Sequence, residues 1–122
     1  VYQGFLDKTE LAEQMGRAEA LLCTHKCIEA FGLVVIEALA CGTPVITYDR
    51  GGPAEIVRHG KTGFVVHADD VGQAVSSLIK LPTIYREDCR ELCRKNFSLT
   101  AFGDNLENWI RQVCSLSLQL AG

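Results

Sequence analysis

The stretch "EAFGLVVIEALACGTPVI", residues 29–46, decides how the rest of the chain is read. It carries two acids, Glu29 and Glu37, in an otherwise apolar run. Glu37 stands in a segment that reads as buried helix, where an unpaired carboxylate is costly and needs a partner. Gly32 opens the run and Gly42 and Pro44 stop it, which predicts a helix over 32–40 followed by a buried strand over 44–48. A short apolar run, Ala20 to Thr24, predicts a strand upstream, so the segment is the centre of a parallel β/α unit.

The same alternation continues in both directions. Asp7 and Glu10 have capping-box-like spacing ahead of a helix over about 8–18. Val1 to Phe5 reads as a strand remnant ending near Gly4. Downstream, the glycine-rich loop Asp49 to Pro53 (DRGGP) leads into a short helix from Ala54, a turn at His59 to Gly63, and a strand over 64–66. Asp69 or Asp70 caps a further helix that carries Val71, Ala74, Val75, Leu78 and Ile79 at helical spacing. Pro82 ends it, and helical patterns over 86–95 and 100–118 complete the chain. The fold class is α/β: a Rossmann-like parallel sheet with flanking helices and a helical C-terminal third. The expected organisation is one partial domain over 1–122, with its core in 1–80 and C-terminal helices in 83–120.

Composition limits the function. The chain has 122 residues, net charge −3, 48% hydrophobic and 22% charged residues. That suits one globular domain and gives no basic stripe to attract nucleic acid. No run approaches the roughly 18 to 20 apolar residues that span a bilayer, and Val1 to Phe5 lacks the features of a signal peptide. Six cysteines are present, with C-x3-C spacing at Cys23/Cys27 and Cys89/Cys93. Cys89 and Cys93 merely share a helix face, and the spacing fits no strong metal template. Free thiols buried as small hydrophobes in a reduced cytoplasm are the expectation, with no metal site. No G-x-G-x-x-G follows a strand, which disfavours dinucleotide oxidoreductases.

Gly32 starts a helix at the end of a parallel strand, where open α/β sheets bind ligands. The first backbone N–H groups of such a helix are unpaired and carry roughly half a positive charge, a ready site for phosphate. Glu37 lies about one and a half turns further in, roughly 7 to 8 Å along the axis, and Glu29 precedes the turn. A ligand with a central diphosphate and hydroxylated rings at both ends fits this layout, because a carboxylate accepts charge-assisted hydrogen bonds from vicinal hydroxyls. The alternative is that a basic or backbone group in the core pairs with Glu37. Spacing alone leaves both open.

"EAFGLVVIEALACGTPVI" followed by "RGGPAEIVRHGKTGFVV" resembles the signature of retaining glycosyltransferases of family 4 (glycosyl transferases group 1). The likeness runs from about Gly4 to Val66, with a weaker extension through "CRKNFS" at 93–98. It implies the C-terminal, nucleotide-sugar-binding half of a two-domain GT-B enzyme, N-terminally truncated. By that resemblance Glu29 contacts the donor sugar near the reacting carbon, in the catalytic position. Phe31, Gly32 and Leu33 form the turn whose amides hold sugar and diphosphate oxygens. Glu37 binds the ribose hydroxyls, and Gly51 and Gly52 form a loop near the donor pocket. Glu55 is expected to be structural. His25-Lys26 replaces a Pro-Ser common in relatives and reads as a solvated loop. His59 and His67 read as surface residues, and Phe102 and Trp109 as packing residues.

The resemblance implies a hexosyltransferase-type parent that needs no metal or other cofactor. Its partners would be the nucleotide-sugar donor and an acceptor bound mainly by a missing N-terminal domain. Peripheral membrane association of the full enzyme is compatible with that picture. With an expected strand order of 3-2-1-4-5-6, Val1 to Phe5 would be third and would find no natural partner here. Two other readings stand beside the transferase: a catalytically inactive nucleotide-sugar-binding fragment, and another GT-B-like enzyme such as a sugar-nucleotide epimerase.

Overall fold

The computed structural model describes residues 1–121. Its elements run α1 (Lys8–Arg17), β1 (Leu21–Cys23), α2 (Leu33–Ala40), β2 (Val45–Tyr48), α3 (Gly52–Ile56), β3 (Gly63–Val66), α4 (Val71–Lys80), a 3-10 turn (Leu81–Thr83), α5 (Arg86–Phe97) and α6 (Leu99–Ala121). The three strands form a parallel sheet in the order β1-β2-β3, with Leu22 opposite Ile46 and Ile46 opposite Phe64. The sheet is short but its centre is dry, since all four residues of β2 are buried.

Local chemistry sets the helix ends. The Asp7 carboxylate accepts from the amides of Thr9 and Glu10 at 2.8 and 2.9 Å, and Glu10 accepts from the Asp7 amide at 2.9 Å, a complete capping box. Asp70, not Asp69, caps α4 through the Gln73 amide at 2.8 Å. At the end of α2, Gly42 adopts φ +79°, its amide donates to Leu39 O, and the Thr43 amide donates to Ala38 O. These two bonds make a Schellman closure, which turns the chain straight into β2.

The core lies between the sheet and α2, with α5 packed on the outside of α2. Val35, Ala38 and Leu39 of α2 are fully buried, as are Val45 and Ile46 of β2 and Cys89 of α5. Two side chains sew the turns together below the sheet. Thr43 Oγ1 donates to Met15 O at 2.5 Å, and the Arg86 guanidinium donates to the carbonyls of Gly16, Ala18 and Gly42. Arg86 joins segments far apart in sequence, so no local pattern announces it.

Several expectations change here. Val1 to Phe5 forms no strand and joins no ladder among the described residues; Val1 and Phe5 are fully exposed. This agrees with the expectation that the segment lacks a partner, because β1 pairs with β2 alone. The helical spacing of α4 is real, but Val71, Val75, Leu78 and Ile79 stay exposed. That helix packs on β2 and β3 and leaves Leu22 of β1 uncovered. Phe102 and Trp109 are likewise exposed rather than buried packing residues; α6 makes its main contacts with α5, and Phe102 borders an open cavity with Phe31, Leu33, Ile36 and Phe97. All six cysteines are free, yet only Cys23 and Cys89 are buried; Cys27 and Cys114 are exposed, the first in a surface loop and the second on α6.

Candidate functional site

The two loops that leave the carboxyl ends of β1 and β2 meet backbone to backbone. The Gly52 amide donates to Glu29 O at 2.8 Å. A Cβ on Gly51 would stand 2.4 Å from Glu29 O, and one on Gly52 would stand 2.4 Å from Phe31 O. No side chain fits at either position, so the glycine pair is the seat on which residues 29–31 rest. Gly51 caps α3 at φ +68°, and Gly52 is the first residue of that helix rather than part of a free loop. Gly32 caps α2 at φ +91°, ψ +55°, the left-handed region that glycine enters most easily, and Pro53 packs against it. Carbonyl, glycine and proline together fix where α2 begins.

The amides of that start are only partly used. Gly32 N–H donates to Glu29 Oε1 at 3.3 Å, and Gly32 O accepts from Val35 N–H at 3.0 Å. No acceptor reaches the amides of Leu33 and Val34 among the described residues. Such free N-terminal amides favour an anion. Glu29 itself is exposed, beside the turn and close enough to Cys23 that its charge, after burial, helps push that thiol above its ordinary range. The structure therefore brings Glu29, Phe31, Gly32, Leu33, Gly51 and Gly52 into one place.

Glu37 stands apart from that cluster, and its expected burial is overturned. Its side chain is exposed and borders a cavity of about 300 Å³ with Lys8, Leu11, Met15 and Cys41. The apolar run around it is helical, and the buried stripe is Val35, Ala38 and Leu39, which leaves position 37 on the solvent side of the same helix. No ion pair or side-chain hydrogen bond holds Glu37 among the described residues. The pairing with a basic core group is thus not realised, and the carboxylate faces an open groove between α1 and α2.

Arg50 was not singled out from sequence, although it lies in the quoted DRGGP loop. Its guanidinium pairs with Asp69 at 2.7 Å, donates to His25 O at 3.2 Å and lies 6.0 Å over the Tyr48 ring. It ties the loop before α2 to the loop before α4, where Asp69 holds φ +65°. The contacts join residues 25, 50 and 69, a spacing no local motif displays. Lys26 is exposed; His25 contributes its carbonyl. Glu55 sits exposed in the first turn of α3, where an acid suits the helix dipole. His59 and His67 are exposed, as expected, with His59 Nδ1 within 3.2 Å of the Val65 amide.

A parallel sheet with a glycine-built turn at its carboxyl edge places the chain in the class of Rossmann-like α/β domains. The chain belongs to the Glycosyl transferases group 1 family, whose profile matches residues 1–96. It is 42% identical over 95 residues to a D-inositol 3-phosphate glycosyltransferase of Rhodococcus erythropolis, covering 74% of this chain and 22% of that protein. A sucrose synthase of Solanum tuberosum is 58% identical over 38 residues, 31% of this chain and 5% of the relative. The chain therefore spans about a fifth or less of these curated relatives. Its fold resembles the crystal structure of Anabaena Alr3699/HepE in complex with UDP-glucose, with a TM-score of 0.70 and 19% identity, over 84% of this chain and 30% of that one. That likeness makes the architecture GT-B-like.

Proposed function

We propose that the chain is the donor-binding part of a retaining glycosyltransferase, which moves a sugar from a nucleotide-diphosphate sugar to an acceptor hydroxyl with the anomeric configuration kept. One observation carries the reading: a left-handed Gly32 cap, clamped by Gly51, Gly52 and Pro53, offers free amides at Leu33 and Val34 beside the exposed Glu29 carboxylate, with the exposed Glu37 further along the same helix. Residues 1–122 would be a partial C-terminal domain of a longer, N-terminally extended enzyme, with the core in 1–80 and the C-terminal helices in 83–120. Family membership and the short span relative to its kin support that placement.

In this reading the chain works by position and charge. The amides of Phe31, Gly32 and Leu33 hold the sugar and diphosphate oxygens. The helix start meets the charge that develops on the leaving diphosphate, which is worth most where the donors are already fixed. Glu29 orients the sugar hydroxyls near the reacting carbon and yields its Gly32 contact as the donor enters. Glu37 takes the ribose diol from the α1–α2 groove, and its exposure leaves it free to do so. The donor is the substrate and no further cofactor or metal takes part. The acceptor is held mainly by a domain outside this chain, so the isolated chain catalyses nothing. A cytoplasmic setting is proposed with it; no helix among the described residues is long and apolar enough to cross a membrane.

The test is calorimetry of donor binding by the full-length enzyme. Glu37→Ala is expected to weaken binding by roughly 1 to 3 kcal/mol, the value of a charged hydrogen bond. Glu37→Gln should retain part of it. Unchanged affinity in the alanine variant removes Glu37 from the site.

A further inference from the structure

The loop that carries Glu29 is held at two points, and both holds come from the loop over 49–53. Near its end, the Gly52 amide donates to Glu29 O at 2.8 Å. At its start, the Arg50 guanidinium donates to His25 O at 3.2 Å. Between these points Lys26, Cys27 and Ile28 are exposed and make no hydrogen bond among the described residues. The first hold is backbone to backbone. The second depends on one side chain.

That side chain is itself held from the far side. Arg50 pairs with Asp69 at 2.7 Å, and only 20% of its side chain is exposed. The buried Tyr48 ring lies under the guanidinium, 6.0 Å from it. Asp69 has no task in its own helix, because Asp70 supplies the cap of α4 through the Gln73 amide. Asp69 also holds φ +65°, a left-handed conformation that few non-glycine residues adopt and that the surrounding structure must maintain. Among the described residues, Arg50 is the group its carboxylate meets.

We infer that Arg50, anchored by Asp69, is a positioning residue for the donor sugar: it fixes the start of the 25–31 loop and so the direction in which Glu29 presents its carboxylate. This rests on the donor-site reading above. Arg50 itself does not touch the donor, since its charge is matched by Asp69 and it acts through His25 O. A guanidinium suits the task, because its planar fork serves acceptors on two sides at once, which an ammonium on a flexible stem does not. A division of labour follows. The phosphate-facing amides of Leu33 and Val34 are set by Gly32, Gly51, Gly52 and Pro53 and are independent of Arg50, whereas the aim of Glu29 is not.

Calorimetry of the full-length enzyme with paired ligands tests this, UDP-glucose against UDP and GDP-mannose against GDP, so that one member of each pair carries a sugar. Arg50→Ala is expected to weaken the sugar-bearing ligand about tenfold, the worth of one misdirected charge-assisted hydrogen bond, and to leave the nucleoside diphosphate within about twofold of the wild type. Arg50→Lys should regain part of the sugar-dependent loss. Asp69→Asn, which keeps a residue suited to the left-handed turn, should shift the pair in the same direction by less. If Arg50→Ala does not fold, Asp69→Asn carries the test. Equal weakening of both ligands would make Arg50 a phosphate contact or a general support of the fold, and overturns the proposal. So does an Arg50→Ala or Asp69→Asn enzyme with both affinities unchanged. A wild-type enzyme that binds neither pair removes the donor-site reading itself, and this inference with it.

Discussion

Helices α2 and α6 both carry many apolar residues, and they behave in opposite ways. Helix α2 shows no clean amphipathic period, yet it is enclosed by the sheet, α1 and α5, and its Val35, Ala38 and Leu39 are fully buried. Helix α6 has a regular apolar stripe and leaves it exposed. Periodicity therefore reports what a helix is prepared to cover, while burial depends on whether a neighbour stands in the right place. The site uses the first kind of helix: enclosure on three sides holds the start of α2 still, and its Gly32 cap can face a ligand without moving.

The sharpest way to break this contrast is a matched pair of truncations. Leu39→Ala should cost about 3 to 4 kcal/mol of unfolding free energy by urea titration, because it opens a cavity in a sealed core. Leu106→Ala, at an exposed position of α6, should cost under about 0.5 kcal/mol. Similar losses at the two positions would erase the distinction.

The next effect concerns the seat of the turn. Gly51→Ala drives a methyl into Glu29 O and imposes a side chain on φ +68°. The expected loss is about 2 to 3 kcal/mol, accompanied by weaker donor binding in the full enzyme. A fully stable Gly51→Ala would mean that the two loops do not rest on one another as described.

Arg50→Ala should cost less, about 1 to 2 kcal/mol, since its partner Asp69 is largely exposed and only the His25 contact is sheltered. Arg50→Lys should recover part of that loss but not the two-sided reach of a guanidinium. Loosening of the 25–31 loop, read as faster amide exchange there, is the signature that separates a positioning role from simple charge loss.

The smallest effect is a pH slope. Burial, then the neighbouring Asp88 carboxylate, pushes the Cys89 thiol from its ordinary 9.0 to about 11. The folded state thus keeps this proton longer than the unfolded state does. The contribution is fully present below pH 9 and is lost as pH rises through 11. Between those values the native chain should lose stability more steeply than Cys89→Ala, and equal slopes would place the thiol nearer solvent.

Much of the scaffold was legible in the residues. Asp7 with Glu10, Gly42 with Pro44, and the alternation of apolar runs each act over a few positions, so their elements fall where the pattern puts them. The Gly32 turn and the Gly51-Gly52 pair were visible too, as breaks where a backbone must come close to something. What they come close to was not visible. Glu37 misled for the same reason: a run that is apolar all round does not say which side faces the sheet.

The sequence by itself determined the order of the elements from the first helix onward, the Asp7 capping box and the presence of a glycine-built turn between two acids, because these depend on backbone preferences and contacts a few residues long. Only the tertiary structure decided that Glu29 O lies on Gly52, that Arg50 and Arg86 stitch distant turns together, that Glu37 faces a groove and that α6 is uncovered. Those are matters of which surfaces meet, and surfaces meet through chain reversals that no short stretch of residues encodes alone.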